Sequence, residues 1–125
     1  MISVNRIDHL VLTVKDINKT VEFYTKLGMK KEVFKQNRIA LVFNNQKINL
    51  HLLGNEFEPK AQNVKEGSAD ICFIVDNDLN DLIKELDKVG IDVEEGIVNR
   101  TGATGAIRSI YVRDPDNNLI ELSNY

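Results

Sequence analysis

The stretch IDHLVLTVKDINKTVEFYTKLGM, residues 7–29, contains a strand pattern followed directly by a helix pattern. Every second residue from Leu10 to Val14 is aliphatic, which is the period of a strand that packs one side against a core. Asp16 then stands where a helix N-cap is expected, and Gly28 stands where the helix is expected to end. Apolar residues recur between them at helical spacing, namely Ile17, Val21, Tyr24 and Leu27.

The same order of patterns occurs a second time along the chain. Residues 69–75 have a strand pattern, and Asp78 and Gly90 bound a helix pattern of the same length as the first. Three strand patterns follow each helix, at about 30–36, 38–43 and 47–53 and again at about 91–98, 107–113 and 118–123. The sequence therefore predicts an α+β fold of two tandem βαβββ modules. We expect one domain, residues 1–125, with modules at about 4–53 and 68–125 and a polar linker at 54–67.

Composition excludes several classes of protein. The 125 residues are 42% hydrophobic and 28% charged, which is the balance of one compact globular domain. A net charge of −3 gives no basic surface for nucleic acid, and no run of about 18 apolar residues predicts a membrane span. The N-terminus has no signal-peptide pattern, and a single cysteine, Cys72, forms no internal disulfide. We therefore expect a cytoplasmic protein without nucleic-acid or membrane partners.

Four predicted strands place a potential metal ligand on the side that does not pack against a helix. These residues are His9, His51, Asp70 and Glu121, and they include both histidines of the chain. Imidazole and carboxylate groups together are typical of zinc, nickel, manganese and iron sites. The alternative is that each is a solvated or hydrogen-bonded side chain, and the sequence contains no HExxH or CxxC motif that would decide between the two.

The stretches at 7–29 and SIYVRDPDNNLIELSNY, residues 109–125, resemble the start and end of vicinal-oxygen-chelate proteins. This superfamily includes glyoxalase I, extradiol dioxygenases, methylmalonyl-CoA epimerase, fosfomycin-resistance transferases and bleomycin-binding proteins. The similarity covers nearly the whole chain and is strongest to the group of glyoxalase domain-containing protein 5 and its bacterial relatives. The resemblance implies two sheets that curl around a shared cavity, and a homodimer.

The resemblance also implies a set of metal ligands. His9 matches the first-strand histidine of the family and Glu121 matches the last-strand glutamate, whereas Asp70 stands where metal-dependent members usually have histidine. The first-half counterpart of Glu121 falls at Asn49 or His51, of which His51 is the better ligand. The implied cofactor is one divalent ion, Zn, Ni, Mn or Fe, bound by His9, His51 and Glu121.

The function implied is that of a metal-dependent, glyoxalase-like enzyme. It would bind vicinal oxygens of a small oxygenated metabolite and act as a lyase or isomerase or as a dioxygenase, with Glu121 also moving a proton. The expected substrate contacts are Arg100, Ser109, Tyr111 and Asp70.

Two features of the sequence leave further alternatives. The glycines of residues 99–106 are typical of a mobile substrate loop or of a flexible hairpin. The alternative functions are a non-catalytic small-molecule or drug-binding protein, as in bleomycin resistance, and a fosfomycin-type thiol transferase. Three tyrosines, five phenylalanines and no tryptophan offer few surfaces for stacking a flat drug, so we favour the enzyme.

Overall fold

A computed structural model describes all 125 residues and divides the chain into two units, residues 1–66 and 67–125. Unit 1 contains β1 (His9–Val14), α1 (Ile17–Lys26), β2 (Lys30–Phe34), β3 (Arg38–Phe43) and β4 (Gln46–Leu52). Unit 2 contains β5 (Asp70–Ile74), α2 (Leu79–Lys88), β6 (Glu95–Gly102), β7 (Gly105–Arg113) and β8 (Leu119–Asn124). The predicted βαβββ repeat is confirmed. Neither helix is long and apolar enough to cross a membrane.

Unit 1 is a four-stranded sheet in the order β1-β4-β3-β2, with one helix. Strands β1 and β4 are parallel, and the other pairs are antiparallel. The helix and two strands between β1 and β4 form the long connection that a parallel pair needs. The Asp16 side chain caps α1 by accepting from the Lys19 amide at 3.0 Å, as the sequence predicted. The buried core consists of aliphatic residues of β1, β3 and β4 and two rings of α1, including Leu12, Val14, Leu41, Ile48, Leu50, Phe23 and Tyr24.

Unit 2 repeats this arrangement with the order β5-β8-β7-β6. Asp78 caps α2 by accepting from the Asn80 amide at 2.9 Å. The leucines of α2 and alternate residues of β7 and β8 are buried, namely Leu79, Leu82, Leu86, Ile110, Val112, Ile120 and Leu122. Because side chains alternate along a strand, this apolar set turns the residues between them to the opposite side of the sheet.

Residues 99–106 form a hairpin and not an independent loop. Strand β6 starts later than predicted, at Glu95, and continues to Gly102, and β7 starts at Gly105. Only Ala103 and Thr104 lie outside the two strands. Of the two alternatives for this glycine-rich segment, the structure has the hairpin.

The turn at residues 114–117 ties β5 to β8. The buried Asp114 carboxylate accepts from the Asp116 and Asn118 amides and from the Asn118 side chain, at 2.9, 3.0 and 2.8 Å. The Asn118 side-chain oxygen in turn accepts from the Ala69 amide at 2.8 Å. This network fixes the register in which Cys72 of β5 lies opposite Glu121 of β8.

Candidate functional site

The polar side of the unit 2 sheet brings together most of the predicted substrate contacts. Glu121 lies in the middle of this side, directly opposite Cys72 on one neighbouring strand and Tyr111 on the other. Ser123 and Ser109 are paired one step further along. Strand alternation on three neighbouring strands is therefore sufficient to group these side chains on one surface.

Neutral hydroxyl groups hold the Glu121 carboxylate. Ser109 Oγ donates to Glu121 Oε2 at 2.6 Å and lies 2.7 Å from Ser123 Oγ, which is 3.4 Å from the same carboxylate oxygen. Both serines are fully buried, whereas Glu121 is half-buried. No lysine or arginine forms an ion pair with Glu121. The carboxylate is therefore fixed in position without being neutralised.

Arg100 and Tyr111 form a second polar pair beside Glu121. Arg100 Nε donates to Tyr111 Oη at 2.9 Å, and the guanidinium also lies 3.5 Å from a Glu95 carboxylate oxygen. Burial raises the pKa of Tyr111 and the Glu121 carboxylate raises it further, although the bond from Arg100 acts in the opposite direction. Tyr111 is therefore a neutral hydroxyl at pH 7, and its own proton is directed toward the Glu121 carboxylate.

Cys72 and Asp70 lie at the border of this group. Burial, as the largest cause, raises the pKa of the Cys72 thiol, whose sulfur is 3.3 Å from Ser123 Oγ. A protonated thiol is a poor nucleophile, so Cys72 is not expected to react. Asp70 is exposed at the start of β5, opposite Leu119, on the same side of the sheet as Cys72.

The two histidines of unit 1 lie on one side of their sheet but far apart along it. His9 is opposite Lys47 and His51 is opposite Thr13, so four strand positions separate them. At about 3.3 Å per residue this is roughly 13 Å. His9 is exposed, with its Nδ1 2.8 Å from an Asp8 carboxylate oxygen, whereas His51 is buried. One ion therefore contacts at most one of the two histidines of the same chain.

A family model for the glyoxalase/bleomycin resistance protein/dioxygenase superfamily matches residues 6–122. The chain belongs to this superfamily. It is 58% identical to the virulence protein STM3117 of Salmonella typhimurium over 123 residues, covering 98% of this chain and 85% of that one. It is 57% identical to the glyoxalase domain-containing protein RDO1 of Mycosarcoma maydis over 124 residues, covering 99% and 70%. The metallothiol transferase FosB of Bacillus licheniformis is 30% identical over 125 residues, covering 93% and 73%.

Solved structures show the same fold. The crystal structure of STM3117 matches with a TM-score of 0.97 and 57% identity, covering 99% of each chain. A lactoylglutathione lyase from Agrobacterium tumefaciens matches with a TM-score of 0.73 and 18% identity, covering 97% of this chain and 94% of that one, and shares the fold.

The strand registers decide which first-half residue corresponds to Glu121 in this member of the superfamily. In unit 2 the first residue of β5, Asp70, pairs with Leu119, and Glu121 lies two residues further along β8. In unit 1 the first residue of β1, His9, pairs with Lys47, and Asn49 lies two residues further along β4. By the same count His51 corresponds to Ser123. Of the two open alternatives, Asn49 is therefore the counterpart, and the second half alone carries the glutamate.

The structure does not bring together a complete set of ligands for the divalent ion that the superfamily resemblance implies. No group of three or more His, Cys, Asp or Glu side chains in the chain is placed to hold a metal ion. His9 and His51 are too far apart to share one, and the Glu121 carboxylate is engaged by serine hydroxyls. His9 and His51 of one chain therefore do not bind the same ion, and binding of a divalent ion by Glu121 or by either histidine stays a prediction.

His51 occupies an aromatic pocket that the sequence did not indicate. Its ring contacts Phe57 edge to face, with centroids 5.5 Å apart, and the Arg38 guanidinium lies 4.3 Å from the Phe57 centroid. Phe57 is the one aromatic residue of the predicted linker, which was the available signal. Burial is the first cause that lowers the pKa of His51 and Arg38 is the second, whereas Glu56 and Glu58 oppose them.

The buried His51 predicts a loss of stability in acid. The unfolded chain binds a proton near the ordinary pKa of 6.5, but the folded chain binds it only at lower pH. The stability gained from a neutral His51 is therefore complete above pH 6.5 and is lost as the pH falls toward the folded-state pKa. Urea unfolding at several pH values should show a shallower acid dependence for His51→Gln than for the wild type. Equal curves for His51→Gln and the wild type would contradict the assignment.

Proposed function

We propose that this protein is an enzyme that acts on a small oxygenated metabolite, with Glu121 as the group that accepts and returns a proton. The observation that supports the proposal is the 2.6 Å hydrogen bond from Ser109 Oγ to Glu121 Oε2, a carboxylate that forms no ion pair. A carboxylate that is oriented by neutral donors and not by a cation keeps its ability to take up a proton.

The serine pair suits both protonation states of Glu121. Ser109 Oγ lies within hydrogen-bond distance of Glu121 and of Ser123, at 2.6 and 2.7 Å. When the carboxylate is charged, the Ser109 hydroxyl donates to it, and when the carboxyl is protonated, the hydroxyl proton is free to turn toward Ser123. Glu121 therefore gains or loses a proton without leaving the buried Ser109 hydroxyl unpaired.

Tyr111 and Arg100 supply the complementary electrostatics. Proton removal from a carbon or oxygen beside a carbonyl places negative charge on a substrate oxygen, which a positioned donor stabilises. The Tyr111 hydroxyl accepts from Arg100 at 2.9 Å, which polarises its own O–H bond, and a substrate oxygen beside Glu121 would accept that proton in place of the carboxylate. We assign proton transfer to Glu121 and stabilisation of the negative charge on the substrate oxygen to Tyr111. Arg100 and Ser109 are positioning residues.

Three reactions test this proposal, each run with the wild type and with Glu121→Ala as the blank. The substrates are the hemithioacetal of methylglyoxal and glutathione, catechol with oxygen, and an epoxide with a thiol, with and without added divalent ions. We expect at least one product to form faster with the wild type than with the blank. If Glu121→Ala equals the wild type in every reaction, the proposal fails. Binding of these compounds without turnover would favour the non-catalytic binding protein.

Thiol transfer is the second candidate function. Its support is the 30% identity with FosB, named a metallothiol transferase, together with the cationic Arg100 beside Tyr111 and Glu121. A guanidinium is suited to an anionic group on an epoxide substrate. Fosfomycin as the epoxide distinguishes this candidate from the first, because only a thiol transferase consumes fosfomycin and thiol together.

We also propose that the protein is a cytoplasmic homodimer. The single cysteine, which forms no internal disulfide, supports the cytoplasm, and the family resemblance supports the dimer. Sedimentation at several protein concentrations tests the dimer.

A further inference from the structure

We propose that the polar side of the unit 1 sheet binds a small 3-hydroxy carboxylic acid through Arg38, Asn49 and His51. The site consists of unit 1 residues alone, and the inference concerns binding and does not depend on Glu121 or on turnover.

Two buried polar atoms on β4 have no partner. His51 Nε2 and Asn49 Oδ1 are inaccessible and make no hydrogen bond, and the two residues are only 4% and 8% exposed. They lie two positions apart and therefore on the same side of the sheet. Buried polar groups in folded proteins are nearly always paired, so two adjacent exceptions point to a ligand that pairs them.

Arg38 adds a positive charge that no acid neutralises. It is the first residue of β3, and the register of Ile39 with Leu50 places it beside His51. Its guanidinium lies against two rings, 5.4 Å from the Phe34 centroid and 4.3 Å from the Phe57 centroid. Such contacts fix the position of the guanidinium plane but use none of its N–H donors. Arg38 forms no ion pair in the structure.

The nearby acidic residues already have a partner. Lys60 Nζ lies 3.5 Å from a Glu56 oxygen and 3.7 Å from a Glu58 oxygen, and the Gly54 amide also donates to Glu56. The two glutamates, Lys60 and Arg38 together carry no net charge, and Arg38 is the member of this group without an ion-pair partner. A ligand that contacts Arg38 is expected to bring a negative group.

These donors and acceptors define the chemistry of the ligand. A carboxylate suits the planar guanidinium of Arg38, and a second carboxylate oxygen accepts from the His51 Nε2–H tautomer. Asn49 Oδ1 needs a donor, which a ligand hydroxyl supplies. Asn49 and His51 are alternate residues of β4 and therefore lie roughly 7 Å apart. A 3-hydroxy acid is long enough to bridge them, with its hydroxyl bonded to Asn49 and its carboxylate bonded to His51. Because both atoms are inaccessible in the free protein, the ligand reaches them when the exposed Phe57 ring moves off His51, and that ring then covers the carbon chain.

The test is a titration followed by the imidazole nitrogen resonances. The chain has two histidines, so the exposed His9 is an internal control for the buried His51. The probes are 3-hydroxybutyrate, butyrate without the hydroxyl, and 3-hydroxybutyramide without the carboxylate. We expect 3-hydroxybutyrate of one hand to shift His51 Nε2 with a Kd of about 1 mM, a range that small ligands reach. Each analogue should bind at least about 10-fold more weakly, because a buried polar group stays unpaired.

A matched pair of variants identifies the carboxylate contact. Arg38→Met keeps the side-chain stem against the rings and removes the charge, and it should abolish the His51 shift. Lys47→Met removes another cation that stacks on Phe34, at 4.2 Å, and should bind the probe like the wild type. The proposal is overturned if no probe shifts His51, if butyrate binds as tightly as 3-hydroxybutyrate, or if Arg38→Met still binds. The wild-type comparison of the three probes stands even if a variant does not fold.

Discussion

Replacing Glu121 with glutamine is expected to lower turnover, in whichever of the three reactions the wild type catalyses, by about 10²–10⁴-fold, the usual contribution of a general acid–base residue. Glutamine has the shape of glutamate, and its carbonyl oxygen still accepts the hydrogen bond that Ser109 donates at 2.6 Å. What it loses is the ability to take up a proton. We therefore expect kcat to fall while KM stays close to the wild-type value, as steady-state kinetics will show.

A surface glutamate provides the control for this substitution. Glu85 on α2 lies 3.3 Å from Lys88 and is exposed, so Glu85→Gln removes a carboxylate without touching the polar side of the sheet. It should leave kcat unchanged. Ser109→Ala should lower kcat by less than Glu121→Gln and shift the pH profile, because it removes only the group that orients the carboxylate. Wild-type kcat in Glu121→Gln would refute a proton-transfer role for this residue.

The parts of the fold that depend on local pattern were predictable from the sequence. Asp16 and Asp78 cap their helices as expected, because a cap needs only one side chain and the amides two or three residues later. Strand alternation likewise indicated the side of the sheet on which Glu121 lies, whereas Ser109 and Tyr111 were expected from the family resemblance. Neighbouring antiparallel strands are joined by a short turn, and this limits the possible registers.

The parts that depend on long-range register were not predictable. His9 and His51 share a side of the sheet, as alternation indicated, but a helix and two strands separate β1 from β4 in sequence, so nothing local fixes how far the two strands are shifted. The same relative shift of β1 and β4 decides that Asn49, and not His51, corresponds to Glu121. The pocket around His51 was missed for a related reason, since Phe57 reaches it from a segment whose polar composition predicts only a linker.

Gly96→Ala is expected to lower the free energy of unfolding by about 4 kcal/mol, from about 1–3 kcal/mol of backbone strain and about 1–3 kcal/mol of overpacking. Gly96 has φ +136°, which residues with a Cβ rarely adopt. An added Cβ would lie 2.6 Å from Ile110 Cγ2, 2.8 Å from Ile110 Cα and 2.9 Å from the Ser109 carbonyl oxygen. Two of these three atoms are backbone, so β7 itself must move.

Gly105→Ala separates the two contributions in a urea denaturation series. Gly105 has nearly the same backbone angle, φ +142°, but a Cβ added to it would have no other atom within 4 Å. It should lose only the strain contribution, about 1–3 kcal/mol. Because the contact in Gly96→Ala falls on the backbone of Ser109, this variant should also weaken the Ser109–Glu121 bond and lower turnover in the fraction that remains folded. Equal losses of stability in the two alanine variants would mean that β6 moves aside and that the close approach to β7 is not required.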